Sequence, residues 1–98
     1  MLSVKLANDF EFEVESVSEI YDGYTKISNL SIQSKITGEE SSLIQKQITP
    51  ENIAKITVLL DEVQIDEFAD YKEIVSIEKM ITQHDRMLTI RLKTEAEG

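Results

Sequence analysis

A single histidine stands in a chain rich in carboxylates, and no cysteine accompanies it. Nucleophilic catalysis of the Ser-His-Asp kind needs an imidazole to take the proton, so His84 is the sole candidate base. It falls in Gln83-His84-Asp85-Arg86, a polar break between apolar runs that reads as an exposed hairpin turn. Neighbouring side chains on a turn point apart, so Asp85 follows His84 in sequence without being set to orient its ring. Zero cysteines also remove thiol nucleophiles, disulfides, iron–sulfur clusters and thiolate zinc sites. No Gly-Xaa-Ser-Xaa-Gly elbow, phosphate-cradling glycine loop or dinucleotide fingerprint occurs. The expectation is a protein that is not an enzyme, with no catalytic residue, cofactor or metal.

The remaining chemistry is that of contact. Glu11, Glu13 and Glu15 alternate with apolar residues, which puts three carboxylates about 7 Å apart on one face of a strand. Such a row can grip a cation or a basic partner, or it can keep a sheet soluble and discourage edge association. A second group, Asp61, Glu62, Asp66, Glu67 and Asp70, is rich in oxygen but lacks the spaced Asp-Xaa-Asp-Xaa-Asp-Gly loop that fixes calcium geometry. Tyr21 and Tyr24 flank Asp22-Gly23, where two amphipathic rings can anchor an interface or cover the edge of a core. The candidate interaction surface is therefore Glu11, Glu13, Glu15, Tyr21 and Tyr24.

These residues must be positioned by a small fold. Ninety-eight residues with 41% hydrophobic content and a single proline support one modest core, so one domain is expected over residues 1–93, followed by a flexible tail at 94–98. The net charge of −9 repels nucleic-acid phosphates and anionic lipid, which leaves a protein partner or self-association. No small-molecule substrate is expected. The first residues lack a basic stretch followed by an apolar one, and no window approaches the ~20 apolar residues of a membrane span. A cytoplasmic or particle-bound protein is the expectation.

Apolar residues recur mostly with a period of two. Leu2, Val4 and Leu6, then Phe10, Phe12 and Val14, predict a hairpin turning at Asn8-Asp9. Ile20 to Tyr24 reads as a tight turn, followed by a strand from about Thr25 to Lys35. Thr37 to Ser42 reads as a polar loop and Leu43 to Ile48 as a short returning strand. Thr49-Pro50-Glu51-Asn52 is a helix-start signal. Two continuations are open: one helical turn followed by a strand at Ile56-Thr57-Val58, or a helix as far as Val63. Alternation resumes at Val63 and Ile65, and Ile74 to Ile81 with Met87 to Lys93 predicts a closing hairpin. On it, Arg91 and Lys93 are expected to face Glu78 or Lys79. Seven or eight short strands predict a mainly β fold, an antiparallel β-sandwich or small barrel with at most one short helix near residues 50–62. The alternative is an α+β arrangement.

Three segments of this pattern resemble small β-rich proteins from the tail and accessory regions of phages and prophages of Gram-positive bacteria. They are Leu2 to Val14, Ile48 to Val58 and Met87 to Leu92, about half the chain, with Asn8-Asp9 where those proteins commonly carry Asp-Gly. The resemblance implies a non-enzymatic structural or interaction component of a virion, and carries no site residue with it. On the residues alone, the leading expectation is an interaction module whose surface and strand edges pair with copies of itself or with a neighbour. The alternative is an acidic decoy that presents carboxylates to the basic groove of a nucleic-acid-binding protein.

Overall fold

The computed structural model describes residues 1–35 and 38–93, so the expected tail at 94–98 lies outside the described residues. Eight strands form two antiparallel four-stranded sheets. The first holds β1 (Leu2–Lys5), β2 (Glu11–Glu13), β5 (Ile56–Leu60) and β6 (Val63–Phe68) in the order β2-β1-β5-β6. The second holds β3 (Ser16–Asp22), β4 (Ile27–Lys35), β7 (Glu73–Ile81) and β8 (Asp85–Lys93) in the order β3-β4-β8-β7. The mainly β reading thus holds, and the arrangement fits a sandwich or small barrel.

The two sheets close on each other because each turns one row of branched side chains inward. On β4 and β8 the register pairs Leu30 with Ile90 and Ile32 with Leu88, and all four are buried. Val4, Ile56, Leu6 and Phe12 answer from the first sheet, and Ile53 seals one end. Burying a residue of this size contributes roughly 1.5–3 kcal/mol, so this one cluster supplies most of what holds so short a chain together. Chain crossings tie the sheets at one side: the Val14 amide donates to the Leu2 carbonyl at 2.9 Å, and the next amide, Glu15, donates to Gln33 in the other sheet at 2.7 Å.

Three local readings are corrected. Residues Gly38–Gln47 form α1, not a loop and a strand. Ile44 and the following Ile48 lie one helical turn apart, both are buried against the core, and Lys46 in the last turn complements the helix dipole. The stretch before Asp22-Gly23 is strand β3 rather than turn, and its exposed side chains hide the alternation. On the closing hairpin, a bulge between Ile74 and Ser76 shifts the register, so Lys93 faces Glu73 and Arg91 faces Ser76. Near Pro50 the first of the two continuations is observed: a 3₁₀ turn at Asn52–Ala54, then β5.

That 3₁₀ turn is tied to its surroundings by side-chain hydrogen bonds. Thr49 Oγ1 accepts from the Asn52 amide at 3.3 Å, Asn52 Nδ2 donates to the Gln47 carbonyl, and Asn8 Nδ2 donates to Gln47 Oε1. The Tyr71 hydroxyl, on the link between β6 and β7, donates to the Ile53 carbonyl at 2.6 Å. Burial raises the Tyr71 pKa above 10.0. Since the folded value lies above the unfolded one, this contribution is complete below pH 10 and is lost as pH climbs through the folded value. Tyr71→Phe is expected to lose about 1 kcal/mol at neutral pH and to lack that alkaline decline, read from urea unfolding at pH 7 and above pH 10.

The β5–β6 connection carries backbone strain. Asp61 and Glu62 both adopt positive φ, 50° and 69°, in the two-residue turn that joins Leu60 to Val63. This is the turn that favours Asn-Gly, and neither residue here is glycine. Glu62→Gly relieves the left-handed penalty and is expected to raise stability by about 1 kcal/mol in denaturant unfolding.

Candidate functional site

The strand pairings decide what becomes of the acidic row. On the outer face of the first sheet, Glu13 lies opposite Ser3, and Glu11 lies opposite Lys5. The Ser3 hydroxyl, itself buried, donates to Glu11 Oε2 at 2.9 Å. Beyond them the same face continues through Thr57 to Glu67, whose carboxylate meets Lys55 Nζ at 3.3 Å. Glu15 stands past the end of β2, at the crossing between sheets. The structure therefore keeps Glu11 and Glu13 together, sets them in a mosaic with Lys5 and Lys55, and separates Glu15 from them. Next to the mosaic lies an open depression of about 210 Å³, with Lys5, Asp9, Lys55, Thr57 and Gln64 on its walls.

The two tyrosines sit at the far tip of the second sheet. Tyr24 is fully exposed on the β3–β4 turn, and Tyr21, half exposed, shares the inward face with its partner Ser28. Ile20 points to the opposite face and is 71% exposed. The turn beneath them is pinned: Asp22 Oδ1 accepts from the Tyr24 amide at 2.9 Å. That bond first, then bonds from the Thr25 hydroxyl and amide, hold the Asp22 carboxyl below the usual carboxylate range against an opposing desolvation. Gly23 is open around its absent Cβ, so the turn does not depend on a close approach there.

His84 occupies the turn expected of it. It is exposed, and its amide donates to Thr82 Oγ1 at 3.3 Å, as does that of Asp85 at 3.0 Å. Those bonds shape the turn through Thr82 and engage no imidazole. The acidic group at 61–70 runs along the β5–β6 turn and strand β6, where Asp66 Oδ1 accepts from the Glu67 amide at 2.8 Å. No group of three or more His, Cys, Asp or Glu able to hold a metal ion occurs among the described residues.

Sequence reasoning misplaced Arg86, read as part of an exposed turn, and Lys79, read as facing Arg91 or Lys93; both lie on the inward face. Arg86 is 7% exposed beside Ser34 on the inward face of β8, and burial lowers its guanidinium pKa. Lys79 pairs with Leu88, and its Nζ reaches the Gln45 carbonyl of α1 at 3.5 Å. Both stand in line with Leu88 and Ile90, and the two-residue period could have flagged Arg86 as a charge at an inward position. Together with Phe12, Ile32, Ile44 and Ile48 they line the seam under α1.

Compared with family models, curated proteins and solved structures, the chain matches none. Among the described residues no helix is long and apolar enough to cross a membrane.

The geometry of the tyrosine turn gives a direct check. Asp22→Ala is expected to speed hydrogen exchange at the Tyr24 amide without unfolding the sheet. In the parent chain the same protection should be present above the ordinary carboxylate pKa and fade as pH falls through the lower folded value of Asp22.

Proposed function

We propose that the chain is a non-enzymatic protein-interaction module. The observation that carries this reading is where its large apolar side chains are exposed. Outer faces of the central strands are mostly polar, with Ser3, Lys5 and Thr57 beside Leu59 on one sheet and Asn29, Ser31, Gln33, Thr89 and Arg91 beside Met87 on the other. Most exposed large apolar residues stand instead on rim strands and one turn, Ile20, Tyr21 and Tyr24, Val63 and Ile65, and Val75, Met80 and Ile81, while Met1, Leu43 on α1 and Leu60 at the end of β5 lie outside them. Scattered exposed apolars are ordinary, whereas a concentration along rims supplies contact area where a partner can also reach backbone. The tyrosine turn adds rigid, amphipathic rings of the kind that dominate interface energies.

The sequence resemblance to phage tail and accessory proteins supports a virion or assembly component as the setting, and the genes flanking this one are the quickest check of it. The acidic character favours a partner of opposite charge over nucleic acid.

An Ile20→Asp, Tyr24→Ser double variant tests the module. Both positions are exposed, so the unfolding midpoint should hold to within about 0.5 kcal/mol. Particle-associated protein recovered on the immobilised parent chain is expected to be lost on the variant. Equal recovery on both overturns the tyrosine turn as the contact, and turnover of a small molecule abolished by His84→Ala overturns the non-enzymatic reading.

A further inference from the structure

The outer face of the first sheet holds a concavity. One row across it runs Glu11, Lys5, Thr57 and Glu67, strand to strand. Thr57 is the short side chain of that row. Lys5 and Glu67 stand beside it across the ladder, and Lys55 and Leu59 precede and follow it on the same face, since the backbone at Lys55 is already extended. Thr57 is therefore buried although it points outward. The depression of about 210 Å³ opens at this place, with Lys5, Lys55 and Asp9 on its walls and Leu6, Ala7 and Leu59 giving it apolar surface.

Two charges on these walls are left without partners. Lys55 is neutralised by Glu67 at 3.3 Å. Lys5 is half-buried and has no ion pair among the described residues, because Glu11, directly opposite, turns its Oε2 to the Ser3 hydroxyl instead. Asp9, on the connection from β1 to β2, is exposed and likewise has no ion pair among the described residues. The depression thus has an open cation and an open anion on its walls that do not satisfy each other. The Thr57 hydroxyl makes no side-chain hydrogen bond among the described residues and is free to donate.

These groups select a ligand by its charges. A simple anion suits Lys5 and Thr57 but meets Asp9 and the field of a chain with net charge −9. A simple cation suits Asp9 but meets Lys5 and Lys55. A zwitterion is repelled by neither: its carboxylate accepts from Lys5 Nζ and the Thr57 hydroxyl, and its ammonium donates to the Asp9 carboxylate. The volume lies below the roughly 300–1,000 Å³ of sites for drug-sized ligands, so the molecule is small. We infer that the depression on the outer face of the first sheet binds a small zwitterion of the amino-acid or dipeptide class. The site lies on a different sheet from the tyrosine turn, so its failure leaves the interaction-module reading standing.

The test titrates the full chain with millimolar alanyl-alanine and, separately, free alanine. Backbone amide shifts are expected at Lys5, Ala7, Asp9 and Thr57 with at least one of the two probes. Acetylating the amino end of the probe that binds, or amidating its carboxyl end, should each weaken binding about fivefold, because each removes one of the two charge contacts. Lys5→Met and Asp9→Asn should each do the same. Arg91→Met, which removes an equal positive charge from the outer face of the other sheet, should not. Absence of shifts with both probes, shifts confined to other residues, or a loss in Arg91→Met equal to that in Lys5→Met overturns the site. Loss of binding with only one of the two blocked probes overturns the zwitterion, and this arm uses the parent chain, so it stands even where a variant fails to fold.

Discussion

Everything in this fold depends on closing two sheets over one short row of branched side chains. Leu30 and Ile90 pair across the centre of the second sheet, and both are fully shielded, as are Val4, Ile56 and Ile53 facing them. With no disulfide and no metal cluster among the described residues, no other large stabilising source is at hand. A chain of this length buries a small fraction of its surface compared with larger domains, so the remainder must be spent keeping rims soluble. The consequence is visible in the division of labour between strands. Central strands β4, β8, β1 and β5 carry most of the core, and outer strands carry most of the exposed apolar side chains.

That division explains which parts of the fold were legible. Strands with one buried and one wet face announce themselves: Leu88, Ile90 and Leu92 against Met87, Thr89 and Arg91 read correctly, as did Leu2 to Val14. Strand β3 did not, because at a rim nearly every side chain is exposed and nothing enforces alternation. Helix α1 was read as loop and strand although Ile44 and Ile48 stand four apart. Leu43, adjacent and half exposed, blurred the period over so few residues. The turn at Asp61-Glu62 escaped for a different reason. Its geometry is imposed by the two strands it joins, and the residues themselves disfavour positive φ.

The candidate surface was legible residue by residue but not as an assembly. Tyr24 emerged where the Asp22-Gly23 signal put it. The acidic row did not survive as a row, because the residue opposite each glutamate belongs to another strand and no local pattern reveals it. Lys5 and Ser3 come to Glu11 through the β1–β2 register, and Lys55 comes to Glu67 from the stretch before β5. Charge counted along a chain thus overstates the field a partner meets at one face. Here Ser3 and Lys5 stand by Glu11, and Lys55 and the Met1 amino group stand by Glu67 and Asp61 at the β6 rim.

The exposed rims follow from the same economy that governs the core. A strand that pairs on one side only exposes backbone donors and acceptors, and a small protein cannot spare a helix to cover each such edge. Like charge is the lightest guard, since it asks for no additional chain and works against every copy of the same molecule at once. On β3 and β7 the guard is a single inward charge, of opposite sign on the two strands. On β6 the same devices recur, since the register skips Ile65 and Asp66 lies opposite buried Val58. Rims β3, β6 and β7 are thus guarded by side chains and bulges that their own strands already carry, with no added chain.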